Sequence, residues 1–153
     1  MKCRFLLLPL ALCCLLTACK TKDSKSPSPS ENNIDAARNF IRAALDGKFD
    51  EARGFMIQDS VNTNYMDIAE RSYQHADQGE KDGYRTSTIR IYSPVKELND
   101  STSIVVYSNT YKNDPDTLRV IRVNGQWLVD LKYLFEHDSD TLAAPNPKKD
   151  TLP

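Results

Sequence analysis

Hydrophobic residues are arranged in three different ways along this chain of 153 residues. They are nearly continuous over residues 5–16, recur every three or four positions over residues 34–76, and are mostly β-branched or aromatic over residues 84–131. A short continuous run near the N-terminus predicts a leader segment. The helical period and the β-rich runs predict a group of helices followed by a sheet.

The first predicted helix has the clearest period. Asn33 is expected to cap its start and Gly47 to end it. Its apolar residues form one stripe that can face a core. This stripe, within residues 34–45, consists of Ile34, Ala37, Phe40, Ile41, Ala44 and Leu45.

Two more helices are predicted before the sheet. A short second helix is expected to bury Phe49 and Ala52, and a third is expected over residues 64–76. Gly79 and Gly83 follow, and because glycine lowers helix propensity they are expected to end the helical region.

The β-rich half of the chain divides into four predicted strands. The turn at Asn124-Gly125 is the strongest hairpin signal, since a two-residue type I′ turn needs positive φ at both positions. This hairpin would place Arg122 opposite Trp127. The four runs cover residues 86–94, 101–112, 118–123 and 126–131.

Even-numbered loops between the strands would give the sheet two faces that are both substantially apolar. The first face would carry Ile89, Ile91, Ile104, Val106, Ile121, Val123 and Leu128. The second would carry Arg90, Tyr92, Val105, Tyr107, Asn109, Tyr111, Leu118, Val120, Arg122, Trp127, Val129 and Leu131. Each face then needs cover from helices, a second subunit or a ligand. A loop of odd length would exchange the faces of the strands beyond it.

The N-terminus has the features of a secretory signal peptide over residues 1–18. Lys2 and Arg4 precede the apolar run, which at about 12 residues is too short for a membrane span of roughly 20. Residues 16–19, Leu-Thr-Ala-Cys, resemble the lipobox of bacterial lipoproteins. The resemblance implies that Cys19 becomes the first mature residue and carries the lipid, palmitate included. Lys20 rather than Asp follows it, which favours the outer membrane.

The remaining chain divides into a tether at residues 19–33, one domain at residues 34–137 and a tail at residues 138–153. The tether is rich in Ser, Pro and Lys and the tail in Pro and Lys, which favours disorder. Loss of the leader removes two positive charges, so the formal net charge changes from −1 to −3. This mild negative charge argues against a nucleic acid partner.

The helical start and the closing hairpin together resemble a known family. Residues 36–52, with the step Gly47-Lys48-Phe49-Asp50, and the hairpin at residues 122–131 are similar to DUF4878-type, lumazine-binding-like lipoproteins of the NTF2-like superfamily. The resemblance implies an α+β fold, a cystatin-like cone in which three N-terminal helices pack on a four-stranded antiparallel meander. NTF2-like cones usually bind ligands in the hollow between sheet and helices.

The second predicted face contains the candidate ligand-binding residues. Tyrosine and tryptophan offer flat apolar contact with polar tips, and arginine can hold an anion or stack on a ring. A small hydrophobic or anionic ligand is therefore expected there, although the same residues could form the core, with Arg122 over Trp127, or a protein interface. The candidates are Arg90, Tyr92, Tyr107, Asn109, Tyr111, Arg122 and Trp127.

Catalytic signals are weak in this sequence. His75 and His137 lack metal-ligand spacing, no Gly-rich phosphate loop or nucleophile elbow is present, and neither a metal nor a cofactor is expected. Arg119 and Asp130 are expected to form an exposed ion pair without a catalytic role. The acids expected in loops or on polar faces are Asp59, Asp67, Asp77, Asp82 and Asp130.

These observations predict a membrane-anchored envelope lipoprotein with a non-enzymatic domain that binds a small molecule or a protein partner. One alternative is a structural subunit that acts as a homodimer. The other is an isomerase or dehydratase of the NTF2-like type, which needs an acid or His75 inside the cone beside Tyr92 or Tyr107.

Overall fold

A computed structural model describes residues 28–137 of the chain. Cys19, the leader, most of the tether and the tail at residues 138–153 lie outside the described residues. Four helices come first, the antiparallel sheet follows and a short fifth helix ends the described residues, so the α+β class is confirmed, with five helices and five strands in place of three and four. In chain order they are α1 Asn33–Leu45, α2 Phe49–Arg53, α3 Ser60–His75, α4 Gln78–Thr86, β1 Ile89–Ile91, β2 Lys96–Asn99, β3 Thr102–Asn109, β4 Asp116–Val123, β5 Gln126–Asp130 and α5 Lys132–His137.

Helix α1 forms where the apolar stripe predicts it. Its N-cap is Asn32 rather than Asn33, because the Asn32 side chain accepts a hydrogen bond from the backbone N–H of Asp35. Asn33 instead donates its amide to Ser103 Oγ over 2.7 Å and so contacts the sheet. Gly47, at φ +73°, follows the last turn as expected.

Helix α3 begins at Ser60, earlier than the predicted residue 64. The reason is the carboxylate of Asp59, which accepts hydrogen bonds from the backbone N–H groups of Val61 and Asn62 and so caps the first turn. A polar side chain therefore starts the helix ahead of its apolar stripe.

The prediction that Gly79 and Gly83 end the helical region is wrong, since both lie inside α4. Asp77 caps this helix by accepting from the N–H of Glu80. At the other end, the Arg42 guanidinium of α1 donates to the carbonyl oxygens of Tyr84, Arg85 and Ser87, at distances of 2.8–3.2 Å. Capping at both ends outweighs the low helix propensity of the two glycines.

The sheet is antiparallel in the order β1-β3-β4-β5, and β2 pairs with the other end of β3 on the same edge as β1. The Asn124-Gly125 hairpin is confirmed, with Arg122 opposite Trp127. The single strand predicted over residues 86–94 is wrong: β1 ends at Ile91, and β2 begins only after a bend with a cis Ser93–Pro94 bond.

The predicted faces are correct for β3, β4 and β5 and wrong for β1. Ile91 pairs with Tyr107, so Ile89 and Ile91 share the face of Tyr107, while Arg90 pairs with Ser108 on the opposite face. The connection from β1 to β3 contains β2 and a register shift between Glu97 and Asn99, so it is not a simple even-numbered loop. A shift of one residue exchanges the two faces of a strand.

The core lies between helices α1 and α2 and the inner face of the sheet, which is the face carrying Val105 and Tyr107. Val105, Leu118, Val120 and Val129 of this face are fully buried. The edge of β5 is covered by a neighbouring segment, since the N–H of Ile57 donates to the carbonyl of Val129 over 2.9 Å. One layer of helices thus covers the inner face.

Among the described helices, none has the length and apolar character needed to cross a bilayer.

Candidate ligand-binding cleft

Two adjoining hollows open where the C-terminal end of α1 meets α4. The larger, of about 500 Å³, lies among α1, α2, α3 and α4. The smaller, of about 370 Å³, lies between α1 and the β3–β4 turn. Ala44, Leu45 and Tyr84 line both hollows, so Tyr84 forms the wall that they share. We call the two together the cleft.

Four aromatic rings lie in a row, of which the first three line the cleft, and each ring comes from a different element. Phe49 of α2 meets Tyr73 of α3 edge to face at a centroid distance of 5.5 Å. Tyr73 and Tyr84 of α4 are 6.4 Å apart, and Tyr84 meets Tyr111 of the β3–β4 turn at 5.1 Å. These four residues are the aromatic row. Such contacts favour a fixed arrangement of the rings.

Two glycines permit the row to form. A Cβ at Gly47 would lie 2.6 Å from Cε1 of Tyr73, and a Cβ at Gly83 would lie 2.4 Å from Cε2 of Tyr111. Both distances are far shorter than a normal contact, so any side chain at these positions would displace a ring. The close approach explains why Gly83 stands inside α4 despite its cost to the helix.

Charged groups lie at the outer side of the row. Glu80 Oε1 accepts from Tyr84 Oη at 3.3 Å and lies 3.5 Å from Lys112 Nζ. The Lys112 ammonium is 5.7 Å from the ring centroids of both Tyr84 and Tyr111, within the range of a cation–π contact. Burial raises the pKa of the Tyr84 hydroxyl. The neighbouring side chains of Tyr84 and Glu80 raise the pKa of the Lys112 ammonium. The hydroxyl and the ammonium therefore both stay protonated at neutral pH.

The smaller hollow contains two of the predicted site residues. Tyr107 donates its hydroxyl to Asp116 Oδ2 over 3.1 Å, and burial raises the pKa of Tyr107 well above its usual range. Tyr107 is therefore a permanent hydrogen-bond donor at neutral pH. Asn109 uses its Oδ1 to accept from the backbone N–H groups of Tyr111 and Lys112, which shapes the β3–β4 turn.

The other predicted site residues are not brought together. Arg90 and Tyr92 lie on the outer face, opposite the core, where Tyr92 Oη is 3.1 Å from Ser108 Oγ. Tyr111 belongs to the aromatic row. Arg122 stacks on Trp127 at 5.9 Å, which is the cross-strand pair expected from the alternative interpretation of these two residues. The expected single cluster of seven residues is therefore divided among three places.

Sequence reasoning missed the residues of α3 and α4 that form most of the larger hollow. Tyr73 is not among the candidates although it lies on the predicted third helix, and Glu80 and Tyr84 are not among them because α4 is not predicted. A signal for this helix is present in the sequence: Asp77 precedes Glu80 by three positions, which is the spacing of an N-terminal capping box.

The two histidines lie at the ends of different helices. His75 lies at the rim of the larger hollow, with Nδ1 2.7 Å from the carbonyl oxygen of Arg71. His137 ends α5, and its side chain is outside the described part of the structure. Within the described residues, no three His, Cys, Asp or Glu side chains are grouped so as to hold a metal ion.

Each of the five acids considered from the sequence has a described partner. Asp59 binds Lys132, Asp67 binds Arg53, Asp77 caps α4, Asp82 accepts from Gln78, and Asp130 binds Arg119. The expectation of an exposed Arg119–Asp130 pair is wrong, since Asp130 is only 2% exposed and accepts from Arg119 Nη2 over 2.6 Å.

Comparison of the chain with protein-family models, curated proteins and solved structures finds no match in any of the three. The chemistry of the cleft is therefore what points to a function.

Proposed function

We propose that this chain is an envelope lipoprotein whose domain binds a small, largely apolar molecule in the cleft and does not catalyse a reaction. The observation that carries the proposal is the aromatic row beside a hollow of about 500 Å³. Ligand sites are typically concave, of roughly 300–1,000 Å³, and lined by apolar and aromatic side chains with few polar groups. The larger hollow has this composition.

The arrangement of the cleft supports an NTF2-like cone as the finer description of the fold. Helices cover one face of an antiparallel sheet, and the smaller hollow lies between that face and α1. The resemblance of residues 34–133 to lipoproteins of that superfamily supports the same proposal.

We further propose that residues 1–18 are a cleaved leader, that Cys19 carries the lipid, and that the anchor holds the protein at the bacterial outer membrane. The Leu-Thr-Ala-Cys tetrapeptide supports the modification, and two or more acyl chains give a stable anchor. The residues between Cys19 and the start of α1 would then act as a tether between the lipid and the domain. Nucleic acid is not a proposed partner.

The anchor is tested by labelling cells with a palmitate analogue. We expect label on the wild-type chain and none on Cys19→Ser, whereas Cys14→Ser, which changes a leader cysteine, should remain labelled. Label on both variants, or recovery of the uncut chain from the cytosol, would contradict the proposed anchor.

The cleft is tested on residues 19–153 with Cys19→Ala, which retain every described helix, strand and core residue. A neutral aromatic dye such as N-phenylnaphthylamine should bind with increased fluorescence. Tyr84→Ala should weaken binding about tenfold, because it removes one ring contact worth about 1.4 kcal/mol. Tyr92→Ala is the matched control on the outer face and should leave affinity unchanged. Equal loss in both variants would contradict binding in the cleft.

One observation favours a second candidate, a homodimer through the outer face of the sheet. Tyr92, Val106 and Val123 on this face are 44%, 36% and 38% exposed. Light scattering at high concentration distinguishes the two candidates. A dimer that Val106→Asp dissociates would support the structural role, and a strict monomer would exclude it.

A further inference from the structure

We propose that the ligand of the cleft carries an ammonium group, which binds on the ring faces of Tyr73 and Tyr84 beside the carboxylate of Glu80. This inference depends on the proposed binding function and adds the charge of the ligand to it. The ligand is thus an alkyl- or arylammonium compound with an apolar body.

The charges that line the larger hollow favour a cation. Among the described side chains that line this hollow, Glu80 supplies a carboxylate, and none is a lysine or an arginine. The arginines from which the sequence predicted an anion, Arg90 and Arg122, lie on the outer face and at the closing hairpin. An anionic ligand on these rings would meet the Glu80 carboxylate, and its neighbouring cations would be the ammonium groups of Lys112 and Lys81 rather than an arginine.

The aromatic row already binds ammonium groups of the chain itself. Lys81 Nζ lies 5.8 Å from the ring centroid of Tyr73, and Lys112 Nζ lies 5.7 Å from the centroids of Tyr84 and Tyr111. The face of an aromatic ring is the negative end of its quadrupole, so it attracts cations. Three of the four rings in the row therefore have a geometry that holds a positive charge.

Lys112 occupies the position that a ligand ammonium would take beside Glu80. Within the described residues, the two contacts of the Glu80 carboxylate, from Tyr84 Oη and Lys112 Nζ, both involve Oε1. The Glu80 side chain is 33% exposed, so a ligand can reach the carboxylate. The Lys112 side chain is about half exposed, so it can move into water when a second cation enters. Lys112 is thus an internal competitor of the ligand.

The apolar part of the ligand has its own surface in the hollow. Ala44, Leu45 and Phe49 line the wall formed by α1 and α2, away from Glu80. An arylammonium compound can therefore place its ring against this wall and its charged group between Tyr73, Tyr84 and Glu80. A methylated ammonium fits best, because it is weakly hydrated and loses little on leaving water.

The test uses three probes of similar shape and different charge: phenyltrimethylammonium, tert-butylbenzene and benzenesulfonate. Each is titrated into residues 19–153 carrying Cys19→Ala, and binding is followed by NMR chemical shifts. We expect phenyltrimethylammonium to bind about tenfold more tightly than tert-butylbenzene, and benzenesulfonate to bind most weakly.

Three variants test whether Glu80 and Lys112 determine the preference for the cation over the neutral probe. Glu80→Gln keeps the shape of the side chain and should weaken binding of the cation about tenfold without changing that of the neutral probe. Lys112→Met should strengthen binding of the cation severalfold, because it removes the competitor. Glu97→Gln, an exposed acid on β2, is the matched control and should change neither affinity.

The outcomes separate this inference from the proposed function. If the neutral probe binds as tightly as the cation, if benzenesulfonate binds best, or if Glu80→Gln has no effect on the cation, the cleft is a binding site and the ammonium inference is wrong. If none of the three probes binds up to the limit of its solubility, the proposed binding function fails, and the inference fails with it.

Discussion

The backbone N–H of Leu131 donates a hydrogen bond of 2.6 Å to the side-chain oxygen Oδ1 of Asn62. Both residues are buried, and the Asn62 amide nitrogen donates in turn to Asp59 Oδ2 over 3.0 Å. One asparagine therefore joins the first turn of α3 to the residue that follows β5. This bond connects residues that are 69 positions apart in the chain.

Asn62→Ala should lower the free energy of unfolding by about 2–3 kcal/mol. The change leaves the N–H of Leu131 buried without a partner and opens a small cavity. Asn64→Ala, an exposed position on the same helix, should change stability by no more than about 0.5 kcal/mol. Urea denaturation measures both variants, and equal effects would show that the buried bond does not stabilise the fold.

Stability should fall in acid partly because of Asp59. The backbone N–H of Asn62, followed by the side chain of Lys132, lowers the pKa of Asp59 from 3.8 to about 2. Since the pKa is lower in the folded state, this stabilisation is present above pH 3.8 and is lost as the pH falls through 2. Asp59→Asn keeps a capping side chain but cannot titrate.

The pH profile of Asp59→Asn should therefore be flatter than that of the wild type between about pH 4 and pH 2. Thermal unfolding at a series of pH values gives this comparison. Parallel profiles for the two proteins would show that Asp59 does not contribute to acid sensitivity.

Gly47→Ala should destabilise the protein more than Gly125→Ala. Both glycines have positive φ, at +73° and +83°, so each alanine incurs a conformational cost of about 1–2 kcal/mol. At Gly47 the new Cβ also meets the Tyr73 ring at 2.6 Å, whereas at Gly125 nothing lies within 4 Å. Chemical denaturation gives the free energy of unfolding of both variants, and the difference between them measures the cost of the contact with the Tyr73 ring. Equal losses of stability in the two variants would argue against this close approach.

Tyr73→Phe should raise the free energy of unfolding by about 1 kcal/mol, an unusual direction for a core substitution. The Tyr73 hydroxyl oxygen is buried and has no hydrogen-bond partner within the described residues. Phenylalanine keeps the ring and its contacts with Phe49 and Tyr84 while removing the unpaired group. A lower midpoint in thermal unfolding would indicate that the hydroxyl has a partner, such as a bound water.

Arg42→Ala should loosen α4 selectively. The guanidinium donates to three carbonyl oxygens at the end of this helix, and α4 has no fully buried residue of its own. Hydrogen exchange should show faster exchange in α4 and little change in β3 and β4. Arg38→Ala, an exposed arginine on the same helix α1, is the control. Equal protection of α4 in both variants would contradict this role of Arg42.

Features that depend on neighbouring residues could be predicted from the sequence. The stripe from Ile34 to Leu45 requires a helix because only the helical period places these residues on one face. The Asn124-Gly125 turn determines the pairing of β4 with β5, because a two-residue loop leaves a single register. The order of helices before sheet follows from the same local patterns.

Features that depend on distant residues were decided by the tertiary structure. Arg90 and Ile91 lie on the faces opposite to those predicted, because the path through β2 sets the register of β1 on β3. The sequence of β1 alone does not determine this register. Helix α4 depends on the guanidinium of Arg42, which lies 42 positions before Tyr84. The aromatic row, and with it the cleft, joins rings from four elements, so it exists only when those elements pack together.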